Sequence, residues 1–178
     1  MAEIRKAKKI SIIGGPGTGK STLARNLGKE LKLPTYHIDA IHHTENWGIR
    51  DKEERDKIIL EKVSEDKWVI DGTYRSTLEA RVQSADLVIF LNYTPIAKLK
   101  GILSRYLKNK GKEKAEIPGC KERMDWEFIT STIKWDKTRG VAIKEALEKN
   151  KDKDVLVFKN RRKLNKWYKE EFNKKIEV

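Results

Sequence analysis

The chain has 178 residues, enough for one domain with a real core, and charged residues make up 38% of it, equal to the hydrophobic share. The formal net charge of +13 favours anionic partners such as nucleotides, nucleic acid or an acidic membrane surface, and says nothing about fold. No apolar run is long enough to span a bilayer, the basic start is not followed by an apolar stretch of signal-peptide type, and the single cysteine, Cys120, excludes an intrachain disulfide or a cysteine metal cluster, so a cytoplasmic, reducing setting is expected.

Near the start, Ile10-Ser11-Ile12-Ile13 reads as a buried β-branched strand. It runs into Gly14-Gly15-Pro16-Gly17-Thr18-Gly19-Lys20-Ser21, which fits G-x-x-x-x-G-K-[ST], the phosphate-binding loop pattern. Leu23, Leu27 and Leu31 then recur every four residues, so a helix follows. Such a loop wraps an anion with backbone N–H groups, and the helix start adds partial positive charge. Gly14, Gly15, Gly17, Thr18, Gly19, Lys20, Ser21 and the adjoining Thr22 are the expected nucleotide contacts. Lys20 would reach the terminal phosphates and Ser21 would hold Mg²⁺.

The first helix should end near Leu33-Pro34. Thr35-Tyr36-His37-Ile38 reads as a second strand with Asp39 at its carboxyl end, the end that faces the ligand crevice of an open parallel sheet. Asp39, His42 and His43 are therefore candidate site residues, although two histidines are too few for a zinc site. A loop from Thr44 to Asp51 carries Trp47 and Arg50, which together would stack on and neutralise a flat anionic substrate, the alternative being that Trp47 only packs. Asp51 would cap the next helix, whose buried face includes Ile59 and Val63.

Trp68-Val69-Ile70 reads as a third strand, followed by Asp71-Gly72-Thr73-Tyr74-Arg75. An acid ending an apolar strand beside such a loop can receive Mg²⁺, so Asp71 is the expected metal ligand with Ser21, and Arg75 the expected acceptor contact. Asp86-Leu87-Val88-Ile89-Phe90-Leu91 is the strongest buried strand, with Asp86 at the end away from the crevice. Thr94-Pro95 starts a helix with Ile96, Leu99, Leu103 and Tyr106 as its apolar stripe. Lys108 to Lys121 has five lysines, two glycines and a proline, and reads as a mobile basic segment, a candidate lid. Beyond it, Asp125 would cap a helix carrying Trp126, Ile129 and Ile133, with an interruption near Arg139-Gly140. Asp154 to Phe158 is the fifth strand, and Leu164, Tyr168 and Phe172 mark the last helix.

Five strands alternating with helices and opening on this loop resemble the nucleoside monophosphate kinase group of P-loop proteins, the adenylate-kinase-like folds. Asp71-Gly72-Thr73-Tyr74-Arg75 is similar to that group's Asp-Gly-Phe-Pro-Arg segment. Leu33 to Asp39, Trp47, Trp68 to Arg75, and Gly119 to Arg123 leading to Trp126-Glu127-Phe128 resemble more closely the subgroup labelled DNA topology modulation proteins. The resemblance implies a three-layer α/β P-loop fold with a five-stranded parallel sheet and helices on both faces. It implies one domain over residues 1–178, with a substrate-binding insert at 40–66 and a lid at 108–123. It also implies Asp71 near Mg²⁺, Arg75 near an acceptor phosphate, and a purine base beside Lys159-Asn160. The lid should be arginine-rich, yet 108–121 holds no arginine, so Arg105, Arg123 and Arg139 are the candidates, the first two fitting better.

The function expected from these residues is phosphoryl transfer from ATP, with Mg²⁺, to a nucleotide, nucleoside or other small acceptor. Catalysis would fall to Lys20, Asp39, Arg105 and Arg123, and acceptor binding to Asp39, His42, Trp47 and Arg75. The alternative is an ATP-binding protein that associates non-specifically with DNA through its basic surplus and modulates its topology. A regulatory GTPase ranks last, because no Asn-Lys-x-Asp segment occurs.

Overall fold

The computed structural model describes residues 4–114, 117–121 and 126–177. The apolar run before the phosphate loop forms β1 (Lys9–Gly14), and the leucine-patterned stretch after it forms α1 (Lys20–Leu31). There follow β2 (Thr35–His37), α2 (Ile38–His42), the short pair β3 (His43–Thr44) and β4 (Gly48–Ile49), α3 (Lys52–Ser64) and β5 (Trp68–Asp71). Next come α4 (Arg75–Ser84), β6 (Leu87–Leu91) and α5 (Pro95–Asn109), then a hairpin of β7 (Glu113–Lys114) and β8 (Ile117–Lys121). The chain closes with α6 (Trp126–Lys134), α7 (Arg139–Lys149), β9 (Asp154–Phe158) and α8 (Arg161–Phe172).

The main sheet is five-stranded and parallel, in the order β2-β5-β1-β6-β9, and helices cover it. Continuous burial of β1, β5 and β6 explains their unbroken apolar sequences. One core cluster joins Ile10, Ile12, Leu23, Leu27 and Val69 to Leu164, Tyr168 and Phe172. A second joins Ile13, Ile59, Val63, Trp68 and Ile70 to Trp135 and Ile143. Asp86 works at the far end of the sheet, where its carboxylate accepts the Lys8 and Lys9 amides at 2.8 and 2.9 Å and fixes the start of β1. No helix among the described residues is long and apolar enough to cross a membrane.

Four local expectations need correction. The second strand stops at His37, and Ile38 to His42 is a short helix, so Asp39 sits in a helical first turn, where a carboxylate is favoured. The basic segment does not lack packing: its described part holds the end of α5 and the antiparallel pair β7–β8, with Ile117 and Cys120 buried. Trp47 ties it down, the backbone N–H donating to Cys120 Sγ at 3.2 Å and the indole Nε1 to the Lys121 carbonyl at 3.2 Å. The interruption before α7 falls earlier than Arg139-Gly140, at Trp135 to Thr138. The expected cap Asp125 and the lid residue Arg123 lie outside the described residues.

The fourth concerns α5. The apolar stripe read from the sequence is not the buried face, since Ile96 is 68% exposed and Leu103 48%. The buried residues are Lys98 and Ile102, which pack under the phosphate loop. Glycine decides the face. A Cβ on Gly101 would lie 2.0 Å from the Gly17 carbonyl oxygen, and one on Gly17, whose φ is +70°, 2.2 Å from the Lys98 carbonyl oxygen. Only two glycines allow helix and loop backbones this close.

Candidate active site

The phosphate loop connects the central strand to α1, so it stands at the carboxyl edge of the sheet where the strand order reverses. Gly19 has φ +89° and precedes the first turn of α1, which directs the first amides of the helix into the loop. The loop is braced from within: Thr18 Oγ1 donates to the Gly15 carbonyl at 2.8 Å and Lys20 Nζ to the same oxygen at 3.0 Å. Beneath it, the fully buried Lys98 side chain packs against Gly15, pairs with Asp136 and stands 4.3 Å from the centre of the Trp135 ring.

Asp71 ends β5 and is 3% exposed. Its Oδ2 accepts the Ser21 hydroxyl at 2.8 Å, and its Oδ1 meets His37 Nδ1 from the neighbouring strand. A serine hydroxyl beside a carboxylate is an oxygen donor set that suits Mg²⁺, which binds through one or two carboxylates plus substrate phosphates rather than a protein cage. Among the described residues, no group of three or more His, Cys, Asp or Glu stands close enough to hold a metal on its own. The backbone cradle and the Ser21–Asp71 pair therefore fit a magnesium-bound triphosphate.

The turn after β5 joins this loop to the opposite wall. Thr73 Oγ1 accepts from the Gly14 amide at 3.2 Å and donates to the Gly14 carbonyl at 2.9 Å. The buried guanidinium of Arg81 donates to the Gly72 and Tyr74 carbonyls at 2.8 and 3.2 Å. Burial lowers the pKa of Arg81 to about 10, with the nearby Asp71 charge opposing the shift, so it stays a cation at neutral pH.

One cavity of about 710 Å³ opens along this edge. Gly14, Gly17, Gly19, Lys20, Ser21 and Thr22 line it, together with Asp39, His42, His43, Trp47 and Arg105. It is also lined by Arg25, Tyr74, Phe128, Arg139 and Arg161, of which only Arg139 was a candidate from sequence. Six Lys or Arg side chains and three acidic ones face it. Gly15 and Thr18 of the loop do not line the cavity, and Asp71 reaches it through Ser21. Arg75 is exposed at the start of α4 and does not line the cavity, because the helix begins at that residue and turns it outward.

The chemistry on the Asp39 side is shaped by burial. The Tyr74 phenol is pushed well above its ordinary range, first by burial and then by the Asp39 carboxylate, so it remains a proton donor. His42 is pushed below the ordinary histidine value, first by burial and then by His43 and Arg55, so it is neutral at pH 7. Its ring lies 4.6 Å from His43 and 4.9 Å from Tyr74, and His43 lies 5.2 Å from Trp47. Arg161 is the functional candidate that sequence reading missed most plainly: its guanidinium would lie 3.3 Å from a Cβ on Gly19. It opens α8 with two residues between it and the end of β9, and a place just past a strand end was the signal available.

Comparison with known proteins agrees with this architecture. The family described as "ATPase family associated with various cellular activities (AAA)" matches residues 10–91, from β1 through the phosphate loop and Asp71 to the end of β6. Shikimate kinase from Acinetobacter baumannii in complex with shikimate is similar in fold, with TM-score 0.56 and 19% identity, covering 93% of this chain and 93% of that one. Shikimate kinase from Aquifex aeolicus vf5 has TM-score 0.48 and 15% identity, covering 93% and 96%. No curated protein is significantly similar to the sequence. The chain thus has the fold of a P-loop kinase: a five-stranded parallel sheet with helices around it.

Proposed function

We propose that the chain is an ATP-dependent small-molecule kinase that moves a phosphoryl group from ATP in the loop to an acceptor beside Asp39. The observation that carries this reading is that one cavity is lined both by Lys20 and Ser21 of the loop and by Asp39, His42, Tyr74 and Arg139 opposite. ATP with Mg²⁺ supplies the activated phosphoryl group, and Ser21 and Asp71 are the residues that would hold the ion.

The chain's own groups do the rest. The loop amides orient the phosphates, and Lys20 offsets charge on the transferred group. Asp39 takes the acceptor's proton when the acceptor is a hydroxyl, with protonated Tyr74 beside it to orient the carboxylate. Arg139, whose charge is felt at both Tyr74 and His42, takes the acceptor-side role that the sequence assigned to Arg75. Arg161 serves the nucleotide side at Gly19, and Arg105 lines the space between. The excess of cations suits a triphosphate together with an acceptor that is itself anionic.

A transfer screen with ATP and Mg²⁺, scored by phosphorylated product rather than ATP loss, tests the reading. The panel should hold hydroxy acids, because the A. baumannii relative was solved with shikimate, as well as nucleosides and nucleotides. The DNA-associated alternative rests on surplus charge and on the label of the subgroup that the sequence resembles. Filter binding at rising salt tests it, and salt-insensitive or absent binding removes it.

A further inference from the structure

His37 closes β2 directly opposite Asp71 in the β2–β5 ladder. Their side chains are 14% and 4% exposed, so the contact is sheltered from water. An ionised carboxylate can only accept, which requires His37 Nδ1 to carry the hydrogen. Asp71 therefore has one oxygen held by imidazole and the other on the Ser21 hydroxyl.

We infer that His37 is a positioning residue: it pins one oxygen of Asp71 so that the other faces Ser21 and the phosphate loop, ready for a magnesium-bound nucleotide. This rests on the kinase reading and adds a residue to it. The terminal torsion of an aspartate is broad, so a carboxylate at a strand end is not fixed by its backbone alone. Two anchors, His37 on β2 and Ser21 on α1, remove that freedom. The imidazole N–H does so by donating to one oxygen and leaving the other to Ser21. Partners that hold a metal ligand from behind govern metal affinity in this manner.

The test is equilibrium binding of the non-hydrolysable β,γ-imido analogue of ATP to the full chain, across a Mg²⁺ series and in EDTA. His37→Phe deletes the donor, His37→Gln displaces it, and His37→Asn keeps a donor near the Nδ1 position. The half-saturating Mg²⁺ concentration should rise about tenfold in the Phe and Gln variants. Binding in EDTA should be unchanged, and His37→Asn should retain the wild-type Mg²⁺ dependence. A purely structural role would alter binding in EDTA as well. Where His37→Phe fails to fold, His37→Gln against His37→Asn decides. The inference is overturned if the folded Phe and Gln variants keep the wild-type Mg²⁺ dependence, or if Asn fails as they do. Wild-type protein that binds no nucleotide in either condition overturns the kinase reading itself, a separate result.

Discussion

The Thr73 hydroxyl clasps Gly14 at both of its backbone groups, accepting from the amide at 3.2 Å and donating to the carbonyl at 2.9 Å. In extended backbone these two groups point to the same side, so a side chain extends the β1–β5 pairing by one rung, where Gly72 leaves the strand. The same turn carries Asp71 before it and Tyr74 after it. The phosphate loop and the wall that carries Tyr74 are therefore joined through one hydroxyl.

Thr73→Val keeps the shape and deletes the clasp. It should destabilise the fold by about 1 kcal/mol, the usual net worth of such a bond. Nucleotide affinity should fall as well, because Gly14 opens the loop. Urea unfolding read beside nucleotide titration checks both, and unchanged values in both would show that the clasp is idle.

The buried pair under the loop should respond asymmetrically. Asp136→Ala leaves the fully buried Lys98 ammonium with the Trp135 ring as its remaining described neighbour of opposite character, and should destabilise by about 2 kcal/mol or more. Lys98→Met leaves a carboxylate that is 40% exposed and can hydrate, so its loss should be clearly smaller. Denaturant midpoints of the two variants give the comparison, and equal losses would contradict it.

Tyr93 is 3% exposed, and its hydroxyl has no hydrogen-bond partner among the described residues. Burial pushes its pKa up to about 12, and that of Tyr168 likewise to about 12. The folded state then keeps protons that the unfolded chain releases from about pH 10. Unfolding releases protons across that window, so stability should fall as pH rises from about 10 to 12. Tyr93→Phe should lessen that fall and raise stability at neutral pH by about 1 kcal/mol. Urea unfolding at a series of alkaline pH values reads both effects.

The two walls of the cavity should separate kinetically. Asp39→Asn should lower kcat about a hundredfold or more while nucleotide affinity holds. Arg139→Ala should raise the acceptor KM about tenfold or more, the worth of a charge-assisted contact. Arg75→Ala should change neither, since Arg75 is exposed outside the cavity. Steady-state kinetics with a working acceptor distinguish the three.

What could be read from the chain was what is local in it. The loop pattern and the five strands are each written in consecutive residues, and the strands form on the apolar runs read for them, except that Ile38 leaves the second strand for a short helix. Contacts chosen by distant backbone were not legible. Lys98 lies off the apolar stripe read from the sequence, yet Gly101 and Gly17 bring that face of α5 against the loop and bury it. Arg75 follows the metal-side acid by four residues, but the helix begins there and Arg139, from a different helix, lines the cavity instead. His37 gave no pattern of its own, because its partner is opposite it in the sheet and not near it in sequence.

The central claim is that ATP held by Lys20 and Ser21 gives its terminal phosphoryl group to an acceptor beside Asp39. The direct measurement follows the γ-phosphate of labelled ATP into products, with Mg²⁺ and the acceptor panel, for wild type and Lys20→Ala. The account predicts a labelled acceptor with wild-type protein and none with Lys20→Ala, while both give the same far-ultraviolet circular dichroism. Labelled acceptor formed equally by folded Lys20→Ala, or label appearing only as inorganic phosphate with every acceptor, would contradict it.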